Sequence, residues 1–164
     1  MELTDEFTVP VAPDVAFERL LDLEQVAGCV PGGEVEPPDA DGVYAGRVTV
    51  KLGPMRFSYD GTLRVVERDD ATRTAVIEGA GKASGGAESA RVRSVMEVVA
   101  DGDGSRVRMR TELQMKGRAA QMGAGIIGGV SKRMVRQAAE CLASTLTAAG
   151  EATGTNEART HEEP

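Results

Sequence analysis

Lys116–Val130 reads KGRAAQMGAGIIGGV, and it stands where a series of alternating segments gives way to a long C-terminal helix. Glycine costs roughly 1 kcal/mol per helix position relative to alanine. Gly117, Gly123, Gly125, Gly128 and Gly129 therefore do not serve helix stability. Missing side chains suit either the wall of a cavity or a surface packed closely on a sheet. A glycine motif pairing helices in a membrane would need a spanning segment around it. The charge-free run Ala119–Ser131 has thirteen residues, short of the ~20 that cross a bilayer.

Upstream, from Val43 to Lys116, the period is two. Phe57, Tyr59, Gly61, Leu63 and Val65 alternate with Arg56, Ser58, Asp60, Thr62 and Arg64. Val107, Met109, Thr111, Leu113 and Met115 alternate with Arg106, Arg108, Arg110, Glu112 and Gln114. Such alternation marks antiparallel strands with one apolar and one wet face. Turn signals at Gly53-Pro54, Asp69-Asp70, Gly79–Gly86 and Asp101–Gly104 divide the region into five strands. Downstream, Met122, Ile126, Val130, Met134 and Ala138 recur every four residues, which predicts a helix to about residues 147–149. Residues 150–164 are small, polar and acidic, and read as a disordered tail beyond a single domain of residues 1–149.

The N-terminal part completes the order. Leu3–Pro10 alternates as a strand, and Ala12-Pro13-Asp14 opens a helix carrying Phe17, Leu20 and Leu21. A second short helix near Glu24–Cys29 ends at Val30-Pro31-Gly32-Gly33, and Glu34–Gly42 reads as a solvated loop. One strand, two short helices, five strands and one long helix give an α+β fold. Its economical form is a curved antiparallel sheet wrapped around the long helix. Large aromatics would fill the gap between them, but aromatics are 3% of the chain and there is no Trp. Seven Met are available instead, and Met adapts to irregular spaces. The expectation is a hydrophobic cavity.

A net charge of −7 and a pI near 4.8 argue against nucleic acid as partner. Arg47, Arg56, Arg64, Arg91, Arg93, Arg106, Arg108 and Arg110 nevertheless form a basic stripe, read either as a solvated face or as a docking surface. Cys29 and Cys141 form no CxxC or Cys/His cluster, and the plain reading is a reduced, cytosolic chain without a secretory signal. Catalysis and metal binding have little to stand on. The single His161 lies in the tail, neither cysteine has a nearby base, and Asp60 and Glu88 are expected on the outer face and in a loop.

Several stretches, taken in order, carry a family resemblance. They are Cys29-Val30-Pro31-Gly32, Val50-Lys51-Leu52-Gly53-Pro54-Met55, Tyr59-Asp60-Gly61, Gly79-Ala80-Gly81-Lys82 and Gly117-Arg118-Ala119-Ala120-Gln121-Met122-Gly123. The chain resembles the CoxG family of carbon monoxide dehydrogenase subunits, within the SRPBCC, START-like helix-grip (Bet v 1-like) superfamily. The resemblance implies a non-catalytic accessory protein of an aerobic molybdenum CO dehydrogenase. It would be a monomer, cytoplasmic and peripheral at the anionic inner face of the cell membrane. Electrons from CO oxidation must reach a lipid-soluble acceptor, so the ligand implied is a respiratory quinone, menaquinone. The ring is expected at a mouth near Cys29–Gly33 and Pro54. The expected ligand-binding residues are Phe17, Leu21, Val30, Met55, Phe57, Tyr59, Leu63, Met96, Met109, Met122, Ile126, Val130 and Met134. Two other classes stay open: a recruitment or maturation adaptor without ligand transfer, which needs no cavity, and a cyclase-like enzyme, which needs two titratable groups facing each other inside one.

Overall fold

The computed structural model describes residues 1–83 and 86–162, with side chains as far as Thr147. The alternating segments form β1 (Glu2–Val9), β3 (Tyr44–Leu52), β4 (Met55–Asp69), β5 (Thr74–Ala83), β6 (Ser89–Asp101) and β7 (Gly104–Lys116). A short β2 (Gly33–Val35) precedes β3. Helices α1 (Pro13–Leu20) and α2 (Leu23–Ala27) lie between β1 and β2. The last helix, α3 (Ala124–Glu162), follows a 3-10 turn at Arg118–Met122. The expected tail, residues 150–164, falls outside the residues described with their side chains.

All seven strands join one antiparallel sheet in the order β1-β7-β6-β5-β4-β3-β2. From β2 to β7 the chain meanders, each strand pairing with the next. Only β1 closes over a long range, running from Glu2 opposite Glu112 to Val9 opposite Ser105. The two short helices thus connect one edge strand to the other, and α3 packs along β1. This is the helix-grip arrangement expected from the order of elements.

Local details differ from the sequence reading in three places. Glu34 and Val35, expected in a loop, extend the sheet as β2 opposite Arg47 and Gly46. Gly79–Ala83, expected in a turn, continues β5, because Gly79 and Gly81 are paired on both sides with β4 and β6. The helix expected from Gly117 begins at Ala124, because Gly117 (φ 98°) and Gly123 (φ 90°) adopt left-handed backbone that no α-helix tolerates.

The cysteines are also corrected. Cys29 and Cys141, read as separate thiols, form a disulfide across 112 residues of sequence. The end of α2 and the middle of α3 meet with Cα atoms 5.4 Å apart, a juxtaposition set by the tertiary fold. The pairing removes the cysteine argument for a reducing compartment.

Among the described residues, two apolar clusters form the core. The larger joins α1 (Ala16, Phe17, Leu20) to Val98 and Val107 of the sheet and to Leu142 and Leu146 of α3. Ser105, fully buried there, donates to the Val11 carbonyl at 2.6 Å, so its hydroxyl costs little. The smaller cluster packs Leu52, Phe57 and Tyr59 under Ala119 of the 3-10 turn, with Val130 of α3 against it. The start and the middle of α3 therefore belong to different clusters. Met134 lies between them in the sequence.

Candidate ligand cavity

An apolar cavity of about 470 Å³ occupies the space between the concave face of the sheet, α2 and α3. Its floor comes from the register. Gly46 pairs with Gly61, Gly61 with Gly81, and Gly81 with Ala90, so four successive strands place a side chain no larger than methyl in one row. All four residues line the cavity. The row also lets strands approach closely. A Cβ on Gly46 would stand 2.5 Å from Val35 Cγ1, and one on Gly61 would overlap the Ala80 carbonyl. Leu23, Val26, Ala27 and Val30 from the α2 segment wall one side, with Met134 of α3. The rim reaches the exposed Glu34 and Arg47.

Of the expected ligand-binding residues, Val30, Tyr59, Leu63, Met109 and Met134 stand on this wall. Phe17, Leu21 and Met96 belong to the closed larger cluster instead. Met55, Phe57, Met122 and Val130 join the smaller cluster, where Tyr59 also packs. Ile126 is corrected outright: it is 44% exposed and off the cavity. The helix glycines need the same correction. A Cβ at Gly125, Gly128 or Gly129 would meet nothing within 4 Å, and none of the three lines the cavity. Neither cavity wall nor tight packing accounts for them, and nothing else among the described residues does. Sheet glycines open the space that the sequence reading assigned to helix glycines. Gly61, Gly79 and Gly81 stand out in the sequence, but only cross-strand register shows that Gly61 and Gly81 abut.

The polar groups near the cavity are few. Ser94 lines it and is satisfied by Thr111, with hydroxyl oxygens 2.6 Å apart. Tyr59 is 5% exposed, and its hydroxyl has no partner among the described residues. Burial, and secondarily the Glu88 carboxylate, hold that phenol above its ordinary pKa, so it stays protonated at neutral pH. Glu88, expected in a loop, is 5% exposed. The left-handed backbone at Gly117 brings the 3-10 turn onto it, and Arg118 Nε donates to Glu88 Oε1 at 2.8 Å. Arg118 also lies over the Phe57 ring, 5.8 Å from its centroid. Glu88 Oε2 is buried without a partner among the described residues.

On the outer face, four of the eight arginines of the basic stripe form ion pairs, while Arg56, Arg64, Arg91 and Arg110 form none among the described residues. Arg47 pairs with Asp60, Arg93 with Glu78, Arg106 with Glu6 and Asp101, and Arg108 with Glu6 and Glu97. Exposed pairs of this kind add about 0–1 kcal/mol each, so they contribute little to stability. Among the described residues, no group of three or more His, Cys, Asp or Glu side chains is placed to hold a metal ion. Among the same residues, no helix is long and apolar enough to cross a membrane.

The family model for the CoxG subunits of carbon monoxide dehydrogenase matches residues 6–147. The chain belongs to that family. CoxG membership implies a role with carbon monoxide dehydrogenase. No curated protein matches the chain. Among solved structures, a conserved protein from Geobacillus kaustophilus superposes with a TM-score of 0.78 at 13% identity, over 90% of this chain and 95% of that one. The Zhui aromatase/cyclase from a Streptomyces species gives 0.61 at 14% identity, over 88% and 92% of the two chains. The protein Ara h 8.0201 gives 0.61 at 16% identity, over 90% and 98%. At these identities the likeness extends to the fold alone, the Bet v 1 and aromatase/cyclase helix-grip.

Proposed function

We propose that this CoxG-family protein is a non-catalytic carrier that binds a prenylated respiratory quinone, menaquinone, and exchanges it with a CO-dehydrogenase partner at the membrane. The observation that carries this reading is the apolar cavity floored by Gly46, Gly61, Gly81 and Ala90. Its volume of about 470 Å³ falls within the roughly 300–1,000 Å³ of small-molecule sites. Burying a methylene is worth about 0.8 kcal/mol, so a prenyl chain leaves lipid only for a lining as apolar as lipid. Walls of Val26, Val30, Val48, Leu63 and Leu113 meet that condition. An adaptor without ligand transfer has no use for such a space.

The cyclase-like alternative draws support from Tyr59 and Glu88, two buried titratable groups beside the cavity. Turnover of a polyketide-type substrate, abolished in Tyr59→Phe, would favour that alternative.

Lipid extraction and native mass spectrometry of the purified protein test the carrier reading. A co-purifying prenylated quinone, or uptake of added menaquinone, is the expected result. Ala90→Leu, which projects a side chain over the glycine row, should abolish uptake while the protein stays folded. A wild-type protein that neither carries nor takes up any prenylated compound overturns the reading.

A further inference from the structure

Tyr59 Oη and Glu88 Oε2 are both shut off from solvent, and both lack a hydrogen-bond partner among the described residues. Such groups are costly to leave unsatisfied, and a carboxylate oxygen more so than a phenol. They are also neighbours. Tyr59 on β4 pairs with Ala83 on β5, and the Ala83 amide donates to the Glu88 carbonyl at 2.9 Å. The cavity wall reaches this corner at Tyr59, Gly81 and Ala90. Around it pack Met115 and Met122, unbranched thioethers that change shape by rotation about single bonds and can yield to a ring.

Resting on the carrier reading, we infer that Tyr59 and Glu88 form the polar head site of the cavity and select the reduced, hydroxyl-bearing form of a quinone-type ring. The selection follows from donor and acceptor counting. The ion pair with Arg118 occupies one Glu88 oxygen and leaves the other as an acceptor only. A ring hydroxyl satisfies both groups at once, accepting from the Tyr59 O–H and donating to Glu88 Oε2. A quinone carbonyl accepts from Tyr59 but sets a second acceptor against the carboxylate. Charge-assisted hydrogen bonds in a dry site are the stronger class, so the preference for the hydroxyl form should be about tenfold or more. A carrier built this way holds the reduced ligand more tightly than the oxidised one.

Three probes that do not change oxidation state test this on the intact protein: a farnesylated 1-naphthol, its O-methyl ether, and a farnesyl hydrocarbon without a head. The wild type should bind the naphthol about tenfold or more tightly than the ether. In Glu88→Gln that ratio should fall below about threefold, with binding of the hydrocarbon unchanged. Tyr59→Phe should weaken naphthol and ether alike while raising the melting temperature of the unliganded protein, since a buried orphan hydroxyl is removed. Should Glu88→Gln not fold, the Tyr59→Phe result decides by itself. An unchanged ratio in Glu88→Gln, or unchanged naphthol and ether binding in Tyr59→Phe, overturns the head site and leaves the carrier reading standing. If none of the three probes binds the wild type, the carrier reading falls and the head site with it.

Discussion

Replacing Gly128 and Gly129 together by alanine should stabilise the protein and leave ligand binding untouched. Both sit inside α3, and a Cβ at either position meets nothing within 4 Å. The full difference in helix propensity is therefore available, about 1 kcal/mol per site, or about 2 kcal/mol for the pair. For a chain of this length, that raises the melting temperature by about 4–8 °C. Differential scanning calorimetry of the two proteins measures it, and titration with menaquinone checks that affinity stays within about twofold. The other uses of these glycines predict different results. Close packing on the sheet would make the methyl groups overfill their space, lowering stability by about 1–3 kcal/mol. A cavity wall would lose ligand affinity at unchanged stability. A fall in melting temperature or a loss of binding would refute the placement of this stretch in open space.

Reduction of the Cys29–Cys141 disulfide, or Cys29→Ser with Cys141→Ser, should lower stability by about 2–4 kcal/mol, read as a drop in the denaturant midpoint between oxidised and reduced protein. Met96→Ala, in the closed cluster at 2% exposure, should cost about 2–5 kcal/mol. Met109→Ala, beside space already open, should cost clearly less, and urea titrations of both variants compare them. For Tyr59 the linkage sign is definite. Its folded-state pKa lies above the unfolded value of about 10, so stability is lost as pH rises from about 10 through the folded value. Tyr59→Phe should remove that part of the alkaline slope in melting temperature.

What the sequence alone determines is whatever depends on neighbours along the chain. Side chains two residues apart share a face of a strand, so the alternation of Phe57, Tyr59 and Leu63 against Arg56, Ser58 and Arg64 marks both the strand and its inner side. The order of elements, with motifs such as Tyr59-Asp60-Gly61, then suffices for the helix-grip class and the family. Tertiary structure decided what depends on groups far apart in the chain. Gly46, Gly61 and Gly81 become one floor only because register sets them side by side, and a shift of one residue would turn them to the other face. Cys29 and Cys141 meet across 112 residues. Glu88 is drawn inside because the turn after β7 closes over it. The helix glycines carried the stronger local signal, yet they face open space. Glycine reports only that no side chain is present, and what fills or leaves that volume is settled by the elements packed against it.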